Sequence, residues 1–254
     1  SSDWSVSETS KLRLISPYSQ NDAKNLLIGL EYEMEPGWKT YWKSPGDGGF
    51  AQSISWENST NVQNVNIQWP TPIEFEILGL TSLGYQNDVI FPLDIELEDE
   101  SKNTFLNLHV NFLICKEVCI PGDATLFLEI PSGKKKLTDN YFNLEKALSL
   151  LPEEDFNSSY IKEINLKNFS DNQNSTLQLE FKSDKVFYNP KIFLHSPFGL
   201  PVVKNSIIYS NDNKKISYPT KNFSHILVHS NFKKTKNLFL RSLLELKLSL
   251  KMIK

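Results

Sequence analysis

Strict alternation of apolar and polar residues constrains the fold of this chain more than any other feature. Side chains of a β-strand point to opposite faces in turn, so a period of two marks a strand with one face in a core. Leu26, Ile28, Leu30, Tyr32 and Met34 form such a face, with Gly29, Glu31 and Glu33 opposite. Val89, Phe91, Leu93, Ile95 and Leu97 repeat it against Asp94 and Glu96, and Leu126, Leu128 and Ile130 carry it again. Shorter candidates are Leu12 to Ile15, Ile54 to Trp56 and Val65 to Trp69. Turn signals separate them: Pro36-Gly37, the run from Ser44 to Gly49, and Pro70-Thr71-Pro72. Strands at this spacing predict an all-β chain built of sandwich-like domains.

One helix interrupts the pattern. Tyr141, Leu144, Leu148 and Leu151 recur at helical spacing, which predicts a helix from about Asp139 to Leu151 ended by Pro152. Alternation resumes at Leu177, Leu179 and Phe181, then at Ile192 and Leu194, Ile207 and Tyr209, and Ile226 and Val228. Ser210 to Asn213 reads as a hairpin turn, and Leu244 to Met252 alternates as a closing strand. At 254 residues the chain is long enough for two cores of roughly 100 residues each. The expected organisation is a first β domain over 1–132, a linker carrying the helix over 133–159, and a second β domain over 160–254.

Charge and hydropathy exclude several classes. A net charge of -3 leaves no electrostatic footprint for nucleic acid. Only Arg13 and Arg241 among 27 basic residues are arginine, so bidentate phosphate recognition is scarcely provided for. No run of about 18 apolar residues occurs, which predicts a soluble chain. The chain opens on Ser1 with no charged-then-apolar leader before it, which fits the mature product of an exported precursor. There is no phosphate-cradling glycine loop, no Gly-x-Ser-x-Gly elbow and no His-Glu-x-x-His helix.

The two cysteines, Cys115 and Cys119, are too few for a disulfide-built scaffold. Leu106, Leu108, Val110, Phe112 and Ile114 form the core face of the strand before them, so Cys115 falls with Asn107, His109 and Asn111 on the other, more polar face. Cys119 precedes Pro121-Gly122 and the next strand, so both thiols flank a hairpin neck, where paired Cα atoms stand about 5.5 Å apart, within disulfide range. Three readings follow. As a staple, the short loop is worth only roughly 2 kcal/mol. As an exposed short-loop bond, it belongs with the labile, exchangeable disulfides. As two soft thiolates, the pair suits copper(I). Zinc lacks its four ligands, since His225 and His229 on one strand face stand about 13 Å apart and only His109 lies near the cysteines in sequence. Cys-x3-Cys without a βαβ unit is not a thioredoxin site.

Three segments together carry a family resemblance: Pro36 to Asp47 (PGWKTYWKSPGD), Leu83-Gly84-Tyr85 leading to Phe91-Pro92-Leu93, and Cys115-Lys-Glu-Val-Cys119-Ile-Pro121. In this order they resemble the N-terminal periplasmic domain of the thiol:disulfide interchange protein DsbD family, closest to the branch called suppressors of copper sensitivity. The resemblance covers roughly residues 1 to 132, and the second half is similar to the additional β domain of that branch. The cysteine spacing is shorter than in the better-known branch, and the membrane and thioredoxin-like domains of full-length members are not in this chain.

The resemblance implies an immunoglobulin-like sandwich in the periplasm, a soluble ectodomain without a cofactor. Its Cys115–Cys119 disulfide would take electrons from a membrane-embedded donor domain and pass them to periplasmic thioredoxin-like or disulfide isomerase-like proteins. It implies a cap loop at Glu74-Phe75-Glu76-Ile77-Leu78 with Phe75 as the shield, and an aromatic wall of Tyr41 and Trp42. Carboxylates beside a thiol raise its pKa, which makes Glu74, Glu76 and Glu117 the candidates for keeping the dithiol quiet, with Lys116 opposing them. Against this reading stand a non-catalytic binding sandwich with a structural disulfide and a copper(I)-handling domain.

Overall fold

In the computed structural model the alternating segments become antiparallel strands, and the chain divides into a first unit over 1–151 and a second over 152–254. The structure describes residues 1–152, 161–170, 175–187, 190–195, 208–210, 212, 214–220, 225–229 and 238–240. The first unit contains β1 (Ser5–Val6), β2 (Ser10–Ile15), β3 (Asn25–Met34), β4 (Lys39–Gly46), β5 (Ser53–Ser55), β6 (Asn64–Ile67), β7 (Ile73–Ile77), β8 (Leu80–Gln86), β9 (Asp88–Glu96), β10 (Thr104–Cys115) and β11 (Cys119–Ile130), followed by helix α1 (Tyr141–Ser149). One sheet runs β1-β2-β3-β9-β6, and the other runs β11-β10-β4-β8-β7 with β5 also on β10. This is an all-β sandwich of the immunoglobulin-like kind.

The core lies between the sheets and is made by the predicted faces. Leu26, Ile28, Leu30 and Tyr32 of β3 meet Phe91, Leu93 and Ile95 of β9 within their sheet, and Leu106, Leu108 and Val110 of β10 close it from the other; all are buried. Aromatic rings join the layers edge to face: Tyr32 with Phe112 at 5.6 Å and Tyr85 with Phe91 at 5.0 Å. Two phenols are sealed inside. Tyr85 donates to the Pro70 carbonyl at 2.7 Å, and Tyr32 donates to Oε1 of buried Gln52.

Four elements differ from the sequence reading. Pro121 and Gly122 do not form a turn but lie inside β11, which begins at Cys119 and pairs with β10 over its whole length. An edge strand tolerates proline because its outward N–H has no ladder partner to lose. The region from Lys39 to Gly46, read in part as a turn, is strand β4, and Glu74 to Ile77, read as a loop, lies within strand β7 of a hairpin with β8. The helix is also not part of a free linker. Leu144 is fully buried and comes so close to Gly29 of β3 that a Cβ there would stand 2.9 Å from its Cδ1. Backbone bonds from Ser19 to Lys136, from Asn21 to Pro131 and from Thr138 to Pro17 stitch residues 131–138 to the same unit.

The second unit contains β12 (Ile161–Ser170), β13 (Ser175–Ser183), β14 (Lys191–His195), β15 (Ile208–Tyr209), β16 (Lys215–Thr220), β17 (His225–His229) and β18 (Leu238–Leu240). They form sheets β12-β13-β16-β15 and β14-β17-β18, with Leu179 and Phe181 buried. The expected strands at 177–181, 192–194, 209 and 226–228 are present. Asp212 accepts from Ser210 Oγ and the Lys214 N–H within the β15–β16 connection. Ile207, Asn211, Asn213 and the closing strand from Leu244 to Met252 lie outside the described residues. Among the described residues no helix is long and apolar enough to cross a membrane.

Burial raises the pKa of Tyr32 and Tyr85 well above the ordinary 10.0. Above about pH 10 the unfolded chain therefore sheds phenolic protons that the folded chain keeps, so stability is full below that pH and falls as pH rises through it. Urea unfolding is expected to show a midpoint that is steady to about pH 9.5 and falls progressively as pH rises above about 10. A Tyr85→Phe chain should lose about 1 kcal/mol at neutral pH and show a shallower alkaline fall.

Candidate functional site

The parity of β10 builds the site. Its even-numbered residues enter the sandwich core, so Leu113 and Cys115 rise from the opposite face. Sequence parity turns Cys115 away from the principal core and toward a polar face; the direction is right and the environment is not. Cys115 is 0% exposed, because Tyr41, Phe75, Ile77 and Leu113 gather around it as a second small apolar cluster on the outer side of the sheet. The polar pattern at Asn107, His109 and Asn111 does not extend to the end of the strand, where β4 and the β7–β8 hairpin come to lie.

Cys115 and Cys119 are Cα partners at the closing end of the β10–β11 hairpin and are joined by a disulfide with Cα atoms 4.1 Å apart. That is nearer a narrow, non-hydrogen-bonded pair than the 5.5 Å expected. Only Lys116, Glu117 and Val118 connect the two, and the Lys116 N–H bonds to the Val118 carbonyl at 3.0 Å. The two sulfurs have different surroundings. Cys115 is buried, whereas Cys119 is exposed beside Val118 and Ile120, which are 59% and 41% exposed.

Tyr41 connects both sulfurs. Its hydroxyl donates to Cys115 Sγ at 3.0 Å and stands 3.7 Å from Cys119 Sγ. Thr40 Oγ1 donates to the Leu113 carbonyl at 3.1 Å, which pins β4 to β10 just where Tyr41 projects. Burial raises the Tyr41 pKa, so the hydroxyl keeps the proton it donates. Phe75 leans on the Tyr41 ring at a centroid distance of 5.9 Å and is 8% exposed. Its strand alternates as Ile73-Glu74-Phe75-Glu76-Ile77, so Phe75 and Ile77 turn inward while Glu74 and Glu76 turn outward. Leu78 and Gly79 close the hairpin, both at positive φ (53° and 78°), the backbone a two-residue turn requires.

The structure thus brings together Cys115, Cys119, Tyr41 and Phe75. The other candidates are placed differently. Trp42 follows Tyr41 in the strand, is buried outside the cluster, and has Lys43 Nζ 5.5 Å from its ring centroid. Glu74 and Glu76 are exposed on the far side of β7 from Phe75, and Glu117 is exposed in the hairpin connection. Among the described residues no group of three or more His, Cys, Asp or Glu side chains is placed to hold a metal ion.

Sequence reasoning named Ile77 only as part of the cap segment, and missed Leu113, which completes the cluster, as well as Lys39 and Gly49. Strand alternation in Ile73 to Ile77 was the available signal for Ile77. No local signal points to Gly49. The loop after β4 folds back over Tyr41, held by Asp47 N–H to Thr81 carbonyl at 2.9 Å and Ser82 Oγ to Gly48 carbonyl at 3.2 Å. Gly49 sits at φ +92, and a Cβ there would stand 2.2 Å from Tyr41 Cε1. Gly49→Ala combines a backbone penalty with displacement of the ring, and is expected to cost about 1–3 kcal/mol in urea unfolding with a changed near-ultraviolet circular dichroism spectrum. An unchanged spectrum and stability would show that the loop does not position Tyr41.

No curated protein matches the chain. The crystal structure of the N-terminal periplasmic domain of ScsB from Proteus mirabilis is similar to it, with a TM-score of 0.71 at 22% identity over 94% of this chain and 96% of that one. At that identity the likeness speaks to the fold. The family model described as thiol:disulfide interchange protein DsbD, N-terminal, matches residues 12–131, which contain both sulfurs, Tyr41, Phe75 and the rest of the cluster. Residues 12–131, a little under half of the chain, thus resemble the N-terminal domains of the DsbD thiol:disulfide interchange proteins.

Proposed function

We propose that the Cys115–Cys119 pair is a thiol-disulfide relay of the periplasm that accepts two electrons from a membrane-embedded donor domain and delivers them to thioredoxin-like or disulfide isomerase-like proteins. The observation that carries this reading is the asymmetry of the pair: one cysteine is exposed and its partner is buried in the cluster with Phe75, with a hydrogen-bond donor on its sulfur. A staple needs no such difference, and the match of residues 12–131 to the DsbD N-terminal family model supports thiol-disulfide exchange as the chemistry.

Exchange proceeds by attack of a thiolate on a disulfide sulfur. A donor thiolate attacks exposed Cys119 Sγ, a bond forms between donor and Cys119, and the Cys115–Cys119 bond breaks with the electron pair leaving on Cys115. The Tyr41 hydroxyl then donates to the Cys115 thiolate. The donor's second thiolate displaces Cys119, so the donor departs as a disulfide and this chain holds two reduced cysteines. Delivery reverses the sequence: Cys119 attacks an acceptor disulfide, and Cys115 attacks Cys119 to release the acceptor as a dithiol. Phe75 and Tyr41 keep outside oxidants from the Cys115 thiolate between the two steps. Trp42, Glu74, Glu76 and Glu117 do not enter this chemistry.

Two measurements test the reading. Cys115→Ser removes the resolving sulfur, so mixed disulfides through Cys119 with thioredoxin-like proteins are expected to accumulate on non-reducing gels, while Cys119→Ser gives few. The absence of any adduct with Cys115→Ser would end the relay reading. Tyr41→Phe removes a donor worth a net of about 1 kcal/mol to the leaving thiolate, which corresponds to a reduction potential about 20 mV more negative in glutathione equilibration.

A further inference from the structure

Lys39 opposes Cys115 as its antiparallel Cα partner, so the two side chains rise from the same face of the sheet. Its ammonium donates to the Gly37 carbonyl at 2.9 Å and lies 5.7 Å from the centroid of the Phe75 ring. The carbonyl is held in place by a tight turn over Glu35-Pro36-Gly37-Trp38. There the Trp38 N–H closes on the Glu35 carbonyl at 2.9 Å, Gly37 takes φ +86, and its N–H bonds to Asn87 Oδ1 at 3.1 Å. One end of the lysine contact is therefore fixed backbone and the other is the ring that covers Cys115.

We propose that Lys39 is a positioning residue that latches Phe75 over Cys115. The cation is tethered to the rigid end of β4, and its attraction to the ring adds to the apolar burial that keeps the β7–β8 hairpin closed. β7 is the last strand of its sheet, with a backbone partner on one side only, so a contact from Lys39 to its one large inward ring acts where the hairpin is least secured. The inference rests on the reading of Phe75 as the shield of the exchange site.

The test uses the full chain carrying Cys119→Ser, in which Cys115 is a lone thiol beneath Phe75. Its thiolate displaces iodide from iodoacetamide, forming a C–S bond after the thiol proton has gone to solvent, and the rate is followed across pH to its alkaline plateau. The midpoint of that profile reports thiolate formation, and the plateau reports how often the ring moves aside. A partly exposed cation–π contact predicts that Lys39→Met raises the plateau about two- to fivefold. Lys39→Arg, whose guanidinium also stacks on rings, is expected to return the plateau to the parent value. In a Phe75→Leu background Lys39→Met is expected to change the plateau no further.

A plateau unchanged or lowered by Lys39→Met overturns the latch, and a shift of the midpoint alone would make Lys39 an electrostatic neighbour of the thiolate instead. An increase that persists undiminished with Phe75→Leu would trace to general loosening and also overturn it. These outcomes need no partner protein, so loss of the mixed disulfides expected of Cys115→Ser would remove the relay and leave this result to stand or fall by itself.

Discussion

The unbroken antiparallel ladder between β10 and β11, from Thr104↔Ile130 to Cys115↔Cys119, is the constraint on which the rest of the first unit depends. Because a strand alternates its faces, this one register sends Leu106, Leu108, Val110, Phe112 and Ile114 into the sandwich and turns Leu113 and Cys115 outward. It also closes the hairpin with the two cysteines as partners. A slip of one residue would place Cys115 in the principal core and leave the Tyr41 hydroxyl without its sulfur. The long ladder, the buried leucines behind it and the disulfide at its end thus reinforce one another.

The chemistry follows from unequal exposure across a single bond. Cys119 begins an edge strand and is exposed. Cys115 ends an interior strand, where β4 supplies Tyr41 and the β7–β8 hairpin supplies Phe75 and Ile77. Burial that would penalise an isolated thiolate is offset by the phenol pointing at the sulfur, and the same burial keeps that phenol protonated. One environment therefore both hides the sulfur and furnishes its donor.

The segment that carries Phe75 is a strand rather than a loop, and this has consequences for its energetics. Covering Phe75 contributes about 1.5–3 kcal/mol relative to full exposure, enough to favour the closed form without sealing it. The hairpin tip carries Leu78, 75% exposed and at positive φ, a combination uncommon for a branched apolar residue. Glu74 and Glu76 face away from the sulfurs on the same strand. Apolar residues on the inward face and acids on the outward face are what a strand packed on one side and wet on the other requires.

The sequence by itself determined the all-β class, most strands of both units, the helix near 141–149, and the direction of Cys115, because period-two patterning and strand parity are local properties that a residue's neighbours decide. It also carried the motifs of the resemblance, within which Tyr41 and both cysteines lie. Only tertiary structure decided that Cys115 is buried, that Trp42 is buried outside the cluster, that Glu74 and Glu76 turn to the opposite face of β7 from Phe75, and that Lys39, Leu113 and Gly49 border the site. Those facts depend on which distant strand lies over the end of β10. Residues 39–41, 49, 75–77 and 113–119 meet there through pairings that span tens of residues, and no alternation within a single strand encodes what will cover its outer face.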